Sequence, residues 1–442
     1  MEEYIKTLLE QVRCKKAHSL IEDEIRGHIE DQTEANLAAG MSEDEAVKEA
    51  VKDMGSPVEA GISLDRIHRP QMAWNMVIIM AAITIISIVI HALIGNDQLG
   101  SSKFACYSII GFLLMLGIYR VDYSFMAKYA KIIASAFLIY LLLMIVGNIG
   151  VIINGVSGLS IAGFQLSTFA IMMLYIPVYG AVLYQYYGSG WTGILKALVW
   201  MILPVLFTME LPCFSLAAIL FLSMAVILSI AVGKGWFQIS KKVFFIGFWG
   251  ITLALPAFIA KFAISLSWIF QHQIMRIQGF FGNNEAHCYL AEHLQSCFKS
   301  CKWIGASTTN IFNYIPCDTN TNYILAYVTS TYGILIGLLV CSILATVVVK
   351  SFRIALNQKN QLGMLMGCGC GMVFLCNITI NVLENLGLLP TIQSFLPFLS
   401  AGGSYIIVSY ILIGIILSIY RYKNIHPRQF KKADKKQRVT TV

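Results

Sequence analysis

The sequence predicts an all-α, polytopic membrane protein of about ten transmembrane helices, preceded by a small cytosolic helical domain. Three observations carry this. The 442 residues are 57% hydrophobic and 13% charged, with a mean hydropathy of +0.69, which excludes a disordered chain and points to the membrane class. Apolar stretches long enough, or nearly so, to cross about 30 Å of hydrocarbon recur through the chain after residue 70. Charge is also unevenly spread: 16 of the 24 acidic residues fall in the first seventy positions, against nine of the 32 basic ones. That asymmetry places a boundary near Pro70.

Residues 1–70 read as a soluble helical domain. Met1 to Lys16 is charged and lacks a continuous apolar core, so no cleavable signal peptide is expected there. Ser19 to Ala39 has helical periodicity, with Ile21, Ile25 and Ile29 on one face and Gly40 at the stop. Ser42-Glu43-Asp44-Glu45 is a capping box that opens a helix through Met54, ended by Gly55. The acidic surface is an ordinary solvated face or, as the sharper alternative, a docking face for a cytosolic partner.

Ten apolar stretches follow, near 72–94, 103–119, 125–147, 164–186, 192–209, 213–232, 243–268, 323–349, 362–386 and 400–420. Loops and span ends that hold Arg120, Lys128, Lys131, Lys196, Lys234, Lys241, Lys242, Lys350, Arg353 and Lys359 alternate with loops poorer in Lys and Arg. The positive-inside rule then puts both termini in the cytosol. The tail, 423–442, is basic and suits anionic lipid headgroups or a plain stop-transfer flank. One outer loop is long, 271–321, and loops of that length are usually functional.

Charges inside spans are expensive and mark functional candidates. Lys261 lies deep in the seventh stretch and Glu384 in the ninth, where they are expected to pair across a polar cavity or to meet an anionic ligand; Glu210 is expected at an interface. Four of the eleven cysteines, Cys288, Cys297, Cys301 and Cys317, cluster in the outer loop. An even number there suggests one or two disulfides, with Cys297 and Cys301 each bridging to Cys288 or Cys317 because they share one helix face. A zinc site of the four thiolates is the alternative, although the spacing matches no common zinc motif. There is no P-loop, dinucleotide fingerprint or nucleic-acid motif, so no nucleic acid is expected as a partner.

The most specific stretch is Asn377 to Tyr422. An apolar helix ends at Gly387 and Pro390, and a new one starts after Pro397 and Gly402-Gly403. Irregular backbone at membrane depth survives only where protein or a cavity surrounds it. From Ile380 to Ser404 this stretch resembles, without gaps, the signature of the SEDS family, the FtsW/RodA/SpoVE proteins of bacterial cell division and shape. The matching residues are Asn381, Gly387, Leu388, Leu389, Pro390, Leu396, Pro397, Phe398, Ser400, Gly402, Gly403 and Ser404; Ala401 replaces a family Tyr. The resemblance spans roughly 72–422, the transmembrane domain being 71–422. Residues 1–70, with I-x-x-E-I-x-x-H-I-E-D and M-G-S-P, resemble the permease-prefix (HAAS-type) domain.

The SEDS resemblance implies a ten-span protein of the bacterial plasma membrane that polymerises lipid II, with a class B penicillin-binding transpeptidase as partner. A divalent cation is the cofactor to look for if the chain is active. Such chemistry needs a base for the acceptor hydroxyl and cationic help for the leaving pyrophosphate. The family's Q-x-x-R-I motif is present at Gln273 to Ile277, which places Arg276 at the phosphate. The family's catalytic aspartate, in P-E-x-x-T-D-F-I-F-A, falls on Asn322, with Gly333 eleven residues beyond. An amide is no general base, and Asp318 is the only carboxylate nearby. The family's Q-P-S-E-x-x-K reads Gln165 to Ile171, with Thr168 for the Glu, and its Q-P-D-x-G has Cys213 for the Asp. By resemblance the substrate-binding candidates are Arg276, Lys261, Glu384, Ser400 and Ser404, and the structural ones Asn381, Gly387, Pro390, Pro397, Gly402 and Gly403. The expected function is that of a SEDS-type protein weakened or inactive in catalysis; a lipid-linked precursor flippase or transporter, or a membrane scaffold or signalling protein, are the alternatives.

Overall fold

A computed structural model describes residues 1–94, 98–147, 151–153, 156–161, 164–211, 214–263, 285–307, 321–390 and 392–424. The chain divides into two compact units. One is Met1–Ala73 with Gln358–Asn360 and the chain from Tyr420; the other is Trp74–Asn357 with Gln361–Ile419.

The first unit holds helices α1 (Glu2–Glu10), α2 (Lys15–Ala38), α3 (Glu43–Asp53) and α4 (Pro57–His68). The expected apolar face of α2 is its core: Ile21, Ile25 and Ile29 pack with Tyr4, Ile5, Leu8, Val12 and Ala17. Gly61 of α4 comes so close to α1 that a Cβ there would lie 2.5 Å from the Leu8 carbonyl oxygen. Helix α3 begins after Ser42, whose hydroxyl donates to the Glu45 carboxylate at 2.7 Å rather than accepting a backbone N–H. Gly55 follows at φ +72°, the left-handed stop that glycine allows. Residues 420–424 belong to this unit too. His68 Nδ1 donates to the Asn424 carbonyl at 3.2 Å, and the Lys16 ammonium sits 5.0 Å from the centre of the Tyr422 ring.

The second unit carries the ten apolar stretches as helices. They are α5 (Trp74–Ile94), α6 (Gln98–Arg120), α7 (Phe125–Val146), the pair α8 (Thr168–Met173) and α9 (Tyr175–Tyr184), α10 (Trp191–Met209), α11 (Phe214–Gly233) and α12 (Lys241–Ala263). After α13 (Glu285–Ser300) in the long loop come the pair α14 (Ile324–Tyr332) and α15 (Ile334–Leu356), then α16 (Gln361–Asn385) and α17 (Gly403–Arg421). Eight of them are long and apolar enough to cross a membrane by length and composition. The broken pair α8–α9 and the 23-residue α12 occupy the remaining two stretches.

The helical fold carries one small addition. Between α7 and α8 the chain forms a three-stranded antiparallel sheet: β1 (Val151–Ile153), β2 (Val156–Ile161) and β3 (Phe164–Ser167), paired in the order β1-β2-β3. Val151 faces Gly158, and Gly158 faces Ser167. The signals lie in the sequence. Asn154-Gly155 and Ala162-Gly163 separate three short β-branched runs at two-residue spacing, which is how hairpins are joined. The stretch expected to be helical from residue 164 is therefore strand as far as Ser167.

Helix α16 is the centre of the second unit and is buried along most of its length. Small residues let its neighbours approach, as in membrane bundles generally. A Cβ on Gly369 would sit 3.0 Å from the Pro177 Cα of α9, and one on Gly367 would sit 2.8 Å from the Ala355 Cβ of α15. This places the end of α16, where the signature begins, inside the bundle.

Candidate functional site

The site is assembled on the short turn Thr321-Asn322-Tyr323 that leads into α14. A helix start leaves its first backbone N–H groups without partners. Here the side chain of Asn385, at the end of α16, supplies one: the Ala326 N–H donates to Asn385 Oδ1 at 2.9 Å. The other end of that amide donates to the Asn322 carbonyl at 2.9 Å, and Asn381, one helical turn earlier, donates to the same oxygen at 3.0 Å. The Ser400 hydroxyl donates to the Thr321 carbonyl at 2.7 Å while accepting the Leu396 N–H at 2.7 Å. The main chain at Thr321-Asn322 is thus gripped by three side chains, two of them, Asn381 and Ser400, from the signature, while the side chain of Asn322 is half-buried.

The break after α16 is held by Glu384. This carboxylate is 1% exposed. It accepts from the Tyr323 hydroxyl at 3.2 Å, the Ile392 N–H at 3.1 Å and the Ser394 hydroxyl at 2.8 Å. A carboxyl group at membrane depth is tolerated when its oxygens are met in this way. Gly387 turns the chain at φ +67°, and a Cβ there would lie 2.6 Å from the Ala291 carbonyl of α13. Gln295 of α13 donates to the Gly387 carbonyl at 2.9 Å, which ties the outer loop to the signature. Beyond Pro390 and Pro397, Phe398 adopts φ +68°, a left-handed conformation that is strained for a bulky side chain. The Leu399 carbonyl then accepts a 2.7 Å bond from His91 Nε2 of α5, whose ring stacks on Phe104 at 3.7 Å. At the start of α17 the Ser404 hydroxyl accepts the Ser167 N–H of β3 at 3.1 Å, and Gly403 leaves room for the Tyr107 ring 3.0 Å from where a Cβ would be.

Several expectations change with this geometry. Glu384, Ser400 and Ser404, expected to meet substrate, are buried and bind the protein's own main chain and hydroxyls. Asn381, Gly387, Pro390, Pro397, Gly402 and Gly403 lie at the break and the restart of the chain. Cys297 and Cys301 are thiols without a bridge, against the expected pairing with Cys288 or Cys317. Their positions on and just after α13 explain it. Cys297 is buried, and the Cys301 thiol donates back to the Cys297 carbonyl at 3.1 Å; burial pushes that thiol up to about 11. Arg276, Cys317 and Asp318 lie outside the described residues, as do the side chains of Lys261 and Cys288. Glu210 is exposed just past α10. Thr168, standing where the family has Glu, shares a 2.8 Å bond with the Tyr140 hydroxyl. Among the described residues no three His, Cys, Asp or Glu side chains gather as a cation site. His91 and Ser394 were not singled out from sequence. An isolated His in an apolar span carries no periodic signal, and neither does a lone Ser in an irregular stretch.

The model of the FtsW/RodA/SpoVE cell cycle proteins matches residues 68–425. The chain belongs to this family. A relative in Nitrosomonas europaea, named "Probable peptidoglycan glycosyltransferase FtsW", is 27% identical over 342 residues, covering 74% of this chain and 84% of its own. Stage V sporulation protein E of Bacillus subtilis is 29% identical over 119 residues, 27% of this chain and 32% of that protein. Among solved structures, a chain from "Structural coordination of polymerization and crosslinking by a peptidoglycan synthase complex" matches at TM-score 0.64 and 18% identity, over 79% of this chain and 98% of that one. The rod shape determining protein RodA of Thermus thermophilus matches at TM-score 0.56 and 17% identity, over 80% of this chain and 97% of its own. At these identities the structures establish the fold of an FtsW/RodA/SpoVE membrane domain. The first 67 residues lie outside the family match.

Proposed function

We propose that this chain is a multi-pass membrane protein of peptidoglycan synthesis that engages lipid II or a related undecaprenyl-linked lipid, and that it polymerises glycan weakly or not at all. One observation carries the reading. The side chains of Asn381, Asn385 and Ser400 hold the main chain at Thr321-Asn322 in a fixed turn, yet the side chain presented there is an amide. Glycosyl transfer to a sugar hydroxyl needs that hydroxyl deprotonated as it attacks, and an amide has no proton equilibrium near neutral pH with which to do this. General-base catalysis is worth about 10²–10⁴-fold, so its loss alone takes turnover to the limit of detection. Arg276, the family's outer-loop arginine, is the group we assign to the lipid pyrophosphate, and Asp318 is the carboxylate that would replace the missing base. A class B penicillin-binding transpeptidase is the partner we expect, in keeping with the described complex that joins polymerization to crosslinking. Charge alternation supports cytosolic termini, with the N-terminal domain available to a cytosolic partner.

Purified wild type, Asn322→Asp and Asp318→Ala should be assayed side by side for glycan strands from lipid II. The expected result is little or no product from the wild type and a gain in Asn322→Asp. Robust wild-type synthesis that disappears in Asp318→Ala would make Asp318 the base and overturn the weakened reading. A membrane scaffold is the second reading, favoured by Glu384, Ser400 and Ser404 being committed to the protein itself; retained lipid II binding without turnover in all three proteins speaks against a scaffold that ignores the lipid.

A further inference from the structure

Helix α15 is 23 residues long and apolar enough to cross a bilayer. Lys350 and Arg353 lie toward its C-terminal end, so Ile334, its first residue, marks the opposite end of the span. The preceding helix, α14, offers no apolar surface to lipid there, because Ile324 to Ser330 are all buried inside the protein.

The segment after α13, Lys302 to Ser307, lies across the junction of α14 and α15 as a strap. Its carbonyls at Lys302 and Trp303 accept the Ile334 and Leu335 N–H groups at 3.0 and 3.2 Å, which are open donors at the start of α15. Its N–H groups at Gly305 and Ser307 donate to the Tyr332 and Ser330 carbonyls at 3.1 and 2.7 Å, at the end of α14. Irregular backbone is tolerated near hydrocarbon when its polar groups are met this way. Gly333, between the two helices, makes the approach possible. It has φ +105°, and a Cβ there would be 2.7 Å from the Trp303 carbonyl oxygen. The strap turns Trp303 and Ile304 outward, 68% and 75% exposed, beside the exposed Leu335 and Leu338 of α15. Lys302, next to them, is exposed as well.

We propose that Trp303 and Ile304 form a membrane-interface anchor, seated in lipid at the level where the acyl chains meet the headgroups. The occupant is the bilayer itself. The apolar face is continuous with the lipid-facing side of α15, and its membrane depth follows from the length of that helix. A tryptophan is the residue that prefers this level, and a neighbouring lysine reaches the headgroups. The anchor fixes the depth of the helix break at Gly333, eleven residues beyond Asn322.

The test uses full-length protein in nanodiscs at one chain per disc. Subtracting the emission of Trp303→Phe from that of the wild type isolates Trp303 among the seven tryptophans. That difference should be blue-shifted, quenched at least about twofold by phosphatidylcholine brominated near the headgroup, and insensitive to aqueous iodide. Ile304→Trp in the Trp303→Phe background should restore the bromolipid-quenchable signal, while size-exclusion profiles stay those of the wild type. Quenching by iodide but not by bromolipid would overturn the proposal. So would bromolipid quenching that is lost when two chains share a disc, which would assign the face to a second copy.

Discussion

The N-terminal unit and the membrane unit are built inside out with respect to each other. In the first, Leu8, Ile21 and Ile29 are buried and most carboxylates are exposed, Asp65 being the buried exception. In the second, lipid-facing surfaces carry exposed Ile, Leu and Val, and the buried centre beside Asn322 holds Asn381, Glu384, Asn385, Ser394 and Ser400. The driving forces differ accordingly. Water gathers the apolar residues of the first unit. In lipid that force does not distinguish one apolar contact from another, so close packing and buried hydrogen bonds specify the arrangement. A buried polar cluster of this kind is worth having only if every member is satisfied.

The strongest way to break the contrast is Glu384→Ala. It removes the acceptor for Tyr323, Ile392 and Ser394 together, at about 1–3 kcal/mol for each group left unpaired. The expected outcome is loss of monodisperse protein, or a large fall in the melting temperature followed by size exclusion, with Glu384→Gln milder because it keeps an acceptor. An unchanged melt would mean that the polar centre does not specify the fold. Ile21→Ala sharpens the other side. Emptying the core of the N-terminal unit should cost about 2–5 kcal/mol, read as faster limited proteolysis within residues 1–70 of the full chain. The smallest effect belongs to the surface. The Arg26 guanidinium holds the Glu2 carboxyl below its usual value of 4.5. A lowered folded-state pKa gives stability that is present above the usual value and lost as pH falls through the lowered one. Arg26→Ala should therefore leave proteolysis at neutral pH nearly unchanged and remove only a slight acid sensitivity below about pH 4.5; a large effect at pH 7 would show that the exposed pair matters more than its setting allows.

The same contrast explains what was readable in advance. Periodic Ile residues announced α2, and long apolar runs announced the spans, because both signals repeat along the chain. The break at Gly387 and Pro390 was legible through the glycine and proline themselves. The polar centre was not. Glu384 looked like half of an ion pair because a lone charge in an apolar run says nothing about which hydroxyls fold back onto it. Likewise, helical spacing placed Cys297 and Cys301 on one face without saying that this face is turned inward. The sheet between α7 and α8 was missed because its strands are only three to six residues long, although its turn residues were in view.

The grip on Asn322 has a consequence for how such a protein changes over generations. The neighbours hold its carbonyl and leave its side chain out of the bargain. Substitution at this position therefore alters the chemistry offered without disturbing the scaffold that offers it. Asparagine and aspartate codons differ by a single base. On the proposed function, Asn322→Asp would return a carboxylate to this turn with its main-chain bonds kept, while the family's carboxylates would still be missing at Thr168 and Cys213.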